Sequence, residues 1–254
     1  MLRRWQYGAE FGCVNVMRFN LAVLVLTTAT FFSGWPLRVH AADADGVALA
    51  IVYDTSGSMK EPVRDKSGKH SPKYVIANRA LLSIVHQVEA YATNGTPEAP
   101  RKIGAALFTF HDKGAREAVP FGPFNAKGFE DWANSFSNPE GGTPLGAAVK
   151  AAAQRVFDSP LPRKHVLVIT DGMNTLGPDP ASVLPGLLKQ AEKMETSLSV
   201  HFIAFDVDAK VFDAVKRQGA KVFSASDAKQ LNAQLQLVLQ REILLEEPEK
   251  PSKN

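Results

Sequence analysis

Five short and mostly apolar segments, residues 47–53, 102–110, 166–170, 198–205 and 221–224, constrain this chain more than any other feature. Each is too short for a helix, and each lacks the alternation of polar residues that a half-exposed strand shows. Such segments are strands covered on both faces, as in a parallel sheet. The stretches between them carry a helical period. Residues 72–91 place Val75, Leu81, Leu82, Val85 and Val88 on one stripe, with Ser71 read as the N-cap and Pro72 as the first helical position. Thr143-Pro144 opens an alanine-rich helix to residue 157, and further helices are expected over 129–136, 181–195 and 209–218. A long closing helix over 226–245 turns Leu231, Leu235, Val238 and Leu239 inward. After a turn at 111–114, residues 117–121 pair back as an antiparallel edge strand. The expected fold is therefore α/β: a doubly wound, mostly parallel six-stranded sheet with helices on both faces and one antiparallel edge strand. It is one domain, residues 45–245, followed by a charged, proline-containing tail at 246–254.

The first forty residues follow another grammar. Met17-Arg18, the apolar run 21–32, a Gly34-Trp35-Pro36 break and Val39-His40-Ala41 read as a secretory signal peptide. Met17 is the natural start, which makes residues 1–41 an N-terminal extension plus signal peptide, cleaved after Ala41 or Ala44. The alternative is an uncleaved membrane anchor at 19–37. Ser, Gly and Pro interrupt the second half of that segment and favour cleavage. Of 29 Lys and Arg residues, four lie in 1–41; of 26 Asp and Glu residues, one does. The remainder carries 25 of each, so the chain's net charge of +3 belongs to the leader. A clustered basic face for nucleic acid is not expected. Cys13, the one cysteine, also lies in the leader, which leaves the exported domain without disulfide or thiol chemistry. The expected location is periplasmic or secreted.

In a doubly wound sheet, ligands sit at the carboxyl ends of the strands, where the strand order reverses. Three loops bring hard oxygen donors there: Asp54-x-Ser56-x-Ser58 after the first strand, Gly141-Gly142-Thr143-Pro144 before a helix, and Thr170-Asp171-Gly172 after the third long strand. Two carboxylates and three hydroxyls form an incomplete octahedron suited to Mg²⁺, with Mn²⁺ or Ca²⁺ as alternatives. The open position suits a carboxylate from a protein partner.

These motifs, in that order and spacing, resemble the metal-ion-dependent adhesion site of von Willebrand factor type A (VWA) domains, and the resemblance spans residues 45–245. It implies a Rossmann-like three-layer domain that binds a divalent cation, usually Mg²⁺, and through it a protein ligand, without catalysis. By that resemblance Ser56 and Ser58 touch the metal directly, Asp54 and Asp171 do so directly or through water, and Thr143 joins or leaves the shell. The rival readings are a metal-dependent phosphoester hydrolase and a membrane-tethered subunit of a larger complex. Against the hydrolase, the loops offer no free His, Glu or Lys as base or nucleophile, and position 56 is Ser where an aspartyl-phosphate enzyme wants a second Asp.

Around the site, Lys60 and Arg64, with Gly142, are candidate partner-binding positions, a basic rim that steers an acidic ligand. The plain alternative is a solvated loop. Asp208 is read as a helix cap rather than a ligand of a second cation, and Trp132 and Phe136 as core of a short helix. His86 and His201 are read as structural, and His165 as preceding a strand. No two histidines have the spacing of a zinc site.

Overall fold

The computed structural model describes residues 46–65, 67–95, 101–111 and 114–245. The signal-peptide, anchor and tail readings lie outside them.

The apolar segments are the strands of one six-stranded sheet: β1 (Val47–Tyr53), β4 (Ile103–His111), β5 (Gly114–Pro123), β6 (Arg163–Thr170), β7 (Ser197–Phe205) and β8 (Lys221–Ala225), in the order β5-β4-β1-β6-β7-β8. All neighbours are parallel except β4 and β5, which form the expected antiparallel edge. Every residue of β1 and β6 is buried, because both faces are covered. Val47, Leu49, Ile51 and Tyr53 pack with α1 (Lys73–Thr93), α2 (Ala126–Ser135) and α6 (Ala228–Leu237). Ala48, Ala50 and Val52 pack on the opposite face with α3 (Leu145–Phe157), α4 (Pro180–Lys193) and the short α5 (Asp213–Arg217). This period-two division of one strand between two cores produces the three-layer, Rossmann-like sandwich.

Several boundaries differ from the sequence reading. Ser71 and Pro72 do not open α1. They belong to a small antiparallel hairpin, β2 (Pro62–Arg64) with β3 (His70–Pro72), and α1 begins at Lys73. α3 begins at Leu145, and Thr143 makes no capping bond to it. The closing helix changes after Leu237 into a π-helical segment, Val238–Leu244. Residues 209–218 divide into a 3₁₀ turn, Ala209–Phe212, and α5. Asp208 caps that turn, accepting from the Lys210 amide at 3.0 Å. Trp132 and Phe136 pack edge-on against the buried Tyr53 ring, as core. His165 does not precede a strand but lies inside β6, buried. His86 is exposed and pairs with Glu130. No helix among the described residues is long and apolar enough to cross a membrane.

Adjacent strands β1 and β6 are continued in opposite directions, β1 to β4 on one side and β6 to β7 on the other. The crevice beyond their carboxyl ends is the switch point of the fold.

Candidate metal-ion site

Tyr53 is in register with Ile169, and the Asp54 amide donates to the Ile169 carbonyl at 3.0 Å. The chain leaves β1 and β6 side by side, which brings Asp54 next to Thr170 and Asp171. Asp54 is wholly buried. One of its carboxylate oxygens accepts the Ser56 amide at 2.8 Å and the other accepts the Thr170 hydroxyl at 2.6 Å. Burial, and next the charge of Asp171, raise its pKa to about 6 against hydrogen bonds from Ser56 and Thr170 that lower it. Among the described residues no cation pairs with Asp54.

The hydroxyls follow in a chain. Ser56 Oγ lies 3.1 Å from Ser58 Oγ, and Ser58 Oγ donates to Asp171 Oδ1 at 2.8 Å. Octahedral Mg²⁺ with bonds of 2.0–2.1 Å separates adjacent ligand oxygens by about 2.9 Å. The spacing of these donors therefore fits the edges of such a shell, and the donor set is all hard oxygen. No group of three or more His, Cys, Asp or Glu side chains suited to a metal occurs among the described residues. The candidate set relies on two carboxylates and on hydroxyls.

Thr143 reaches the site through loop–loop bonding. The Gly57 amide donates to the Gly141 carbonyl at 3.1 Å, and the Glu140 amide to the Thr55 carbonyl at 2.8 Å, so the second loop is stitched to the first. It is also stitched to the third. The Thr143 amide donates to Thr175 Oγ1 at 2.7 Å, and the Thr175 amide returns a bond to the Thr143 carbonyl at 2.9 Å. Packing explains the glycines here. A Cβ on Gly142 would stand 2.7 Å from the Leu176 side chain, and one on Gly146 would stand 2.1 Å from the Pro178 carbonyl oxygen. Thr143 itself is 4% exposed, and its hydroxyl has no hydrogen-bond partner among the described residues. That oxygen is free to accept or coordinate. Gly142 lies beside it, half-buried.

Lys60 and Arg64 are exposed, on the 3₁₀ turn Gly57–Lys60 and on β2. The hairpin that carries Arg64 is organised by Asp65, which accepts from the Ser67 and Lys69 amides and the Ser67 and Ser71 hydroxyls. The segment that carries Arg64 is thus a hydrogen-bonded hairpin, with Lys60 on the turn before it.

Lys73 was not expected. It is the first residue of α1, where the helix dipole disfavours a cation, and it is buried. Its ammonium lies 3.0 Å from Asp171 Oδ2, 3.0 Å from Glu61 and 3.2 Å from Asp206. Burial pulls its pKa down, but its hydrogen bonds to Glu61, Asp171 and Asp206 and the charge of Asp171 outweigh that and leave it raised above the usual lysine value. Lys73 lies on α1, outside the three motif loops to which the sequence reading was confined. Held by three carboxylates, Lys73 is a fixed cation, not a free base. The one local signal was a lysine in the first turn of a helix, a position that requires compensation from elsewhere. Met173, 60% exposed directly after Asp171-Gly172, is a second rim residue that sequence reasoning passed over.

A family model of the von Willebrand factor type A domain matches residues 48–238, which include all five candidate ligands. The chain belongs to this family. No curated protein matches it by sequence. Among solved structures, the PilB minor pilin of Streptococcus sanguinis is similar to this VWA chain with a TM-score of 0.59 and 16% identity, over 80% of this chain and 62% of the pilin. The chain thus spans less than two thirds of the pilin's length. The vWF domain of the type V pili tip protein Mfa5 from Porphyromonas gingivalis gives 0.58 and 12%, over 83% of this chain and 99% of that domain. A proximal thread matrix protein of the mussel byssus, solved with a zinc-occupied MIDAS motif, gives 0.55 and 16%, over 78% of this chain and 48% of that one. At these identities the likeness is one of fold.

Proposed function

We propose that this VWA domain is an exported, non-catalytic protein-binding module whose contact with its partner runs through a divalent cation, Mg²⁺ in the first instance. Asp54, Ser56, Ser58, Thr143 and Asp171 would hold the ion. The observation that carries the reading is Asp54: a wholly buried carboxylate, beside a second one, with no cation paired to it. Burying such a group is costly unless something positive joins it. A bound ion would supply Lewis acidity toward one further oxygen ligand, and a carboxylate from the partner suits that position. Lys60 and Arg64 on the adjoining turn and hairpin would favour an acidic approach, and Met173 offers an adaptable apolar contact. The similarity to pilus-associated VWA domains supports a role in protein–protein contact outside the cytoplasm.

Capture of partners from the source organism's extract on the immobilised chain, with Mg²⁺ against EDTA, tests the reading. Proteins retained in Mg²⁺, released by EDTA and not retained by Asp171→Ala are expected. A set of retained proteins indifferent to both changes would contradict it.

A further inference from the structure

We propose that Lys73 is a tethered counter-ion of the metal site: it holds Asp171 in position before metal arrives and competes with the metal for that carboxylate, which sets the affinity low. The proposal rests on the reading of Asp54, Ser56, Ser58, Thr143 and Asp171 as a divalent-cation site.

The division of Asp171 between two sides carries the argument. Its Oδ1 takes the Ser58 hydroxyl at 2.8 Å, facing the other candidate ligands, while its Oδ2 takes the Lys73 ammonium at 3.0 Å. One carboxylate is therefore offered to two cations, one built into the chain and one from solution. Lys73 is fixed at both ends. Its amide donates to the Glu61 carbonyl at 2.9 Å, and its ammonium meets the Glu61 carboxylate at 3.0 Å. The third contact comes from a residue of unusual backbone conformation. Asp206 lies at the end of β7 with φ of +54°, in the left-handed region, its amide bonded to the Ala225 carbonyl at 2.7 Å. From there its side chain reaches Lys73 at 3.2 Å. Three elements far apart in sequence thus converge on one ammonium beside the site.

Two consequences follow from charge alone. Without metal, the lysine offsets the repulsion between Asp54 and Asp171, so the loops stay assembled. With metal, a positive charge near the ion opposes its binding and leaves more of the ion's charge for an outside carboxylate.

The experiment is calorimetric Mg²⁺ titration of the full chain, with thermal midpoints in EDTA and in Mg²⁺, for wild type, Lys73→Met, Lys73→Gln and Lys73→Arg. Removing the charge is expected to tighten Mg²⁺ binding on the order of tenfold. It should also lower the midpoint in EDTA and enlarge the recovery on adding Mg²⁺. Lys73→Gln keeps a donor to Asp171 and serves if the methionine variant does not fold; Lys73→Arg, which keeps the charge, should stay close to wild type. Equal or weaker Mg²⁺ binding in the uncharged variants overturns the proposal while leaving the metal site intact. If no variant takes up Mg²⁺, the metal reading itself fails. The counter-ion role is then judged in EDTA by a double-mutant cycle of Lys73→Gln with Asp171→Asn, where coupling supports it and additivity overturns it.

Discussion

The two ends of the central sheet both bury ionisable side chains, but they treat them differently. At the carboxyl ends of β1 and β6, Asp54 and Asp171 lie side by side with hydroxyls aimed between them. Toward the other end of β6 and β7, His165 and His201 stack with ring centroids 5.8 Å apart. They are diagonal neighbours on one face, since His201 is in register with Leu167. Burial first, then for His165 the charges of His201, Arg163 and Lys221, hold that pKa down at about 3; burial and Lys221 hold His201 at about 4. The histidines resolve their burial by staying neutral, which makes them packing material. Asp54, with a pKa of about 6, is charged at neutral pH and buried without a cation. Burial of a titratable group is thus no sign of function by itself; an uncompensated charge at a convergent set of donors is.

The contrast predicts opposite responses to pH. Each histidine titrates at about 6.5 when unfolded and lower when folded, so its contribution is full above pH 6.5 and is lost as pH falls toward 4. Over that window the pair should cost about 3 kcal/mol per pH unit, the largest effect expected here. Chemical denaturation at stepped pH checks it, and a His165→Leu/His201→Leu double variant should flatten the acid limb. An unchanged limb would mean that the rings are protonated in the fold.

Asp54 runs the other way. Its folded pKa is raised, so its contribution to stability is present below pH 3.8 and is lost as pH rises through 6. In EDTA above that pH, Asp54→Asn should therefore stabilise the chain by about 3 kcal/mol. The replacement loses little bonding. Its carbonyl can accept the Ser56 amide, and Thr170 can donate instead to the Gly172 carbonyl, already 3.2 Å away. A destabilised Asp54→Asn chain would remove the difference between the two ends of the sheet. The smallest effect belongs to the rim. A Lys60→Ala/Arg64→Ala variant should leave unfolding unchanged and slow association with an acidic partner at low salt, the difference vanishing at high salt. Surface resonance at two ionic strengths reads this out.

The six strands were legible because parallel strands buried on both faces leave apolar runs, as VALAIVY does at 47–53. The loops carrying Asp54 and Asp171 were legible because motif and strand end coincide, and the loop carrying Thr143 because a Gly-Gly-Thr-Pro run precedes a helix. The β2–β3 hairpin was not. Its residues PVR and HSP lack any alternation of apolar and polar; Val63 alone reaches the core, and the Asp65 carboxylate organises the rest. Lys73 was missed because its partner Asp171 is 98 residues away. The start of β6 was missed because Arg163, Lys164 and His165 look like a surface approach, whereas all three are buried. There Arg163 donates to the Ile243 and Leu244 carbonyls, and Lys164 to that of Leu161. The Ile243 and Leu244 carbonyls, brought in by tertiary folding, leave no trace in a local pattern.

The most direct test of the central claim is a calorimetric Mg²⁺ titration of the wild-type chain beside Asp54→Asn. One site in the wild type and none in a variant that remains folded, and is more stable in EDTA, is the result this account predicts. No heat in the wild type at millimolar Mg²⁺, or the same isotherm for both proteins, would contradict it.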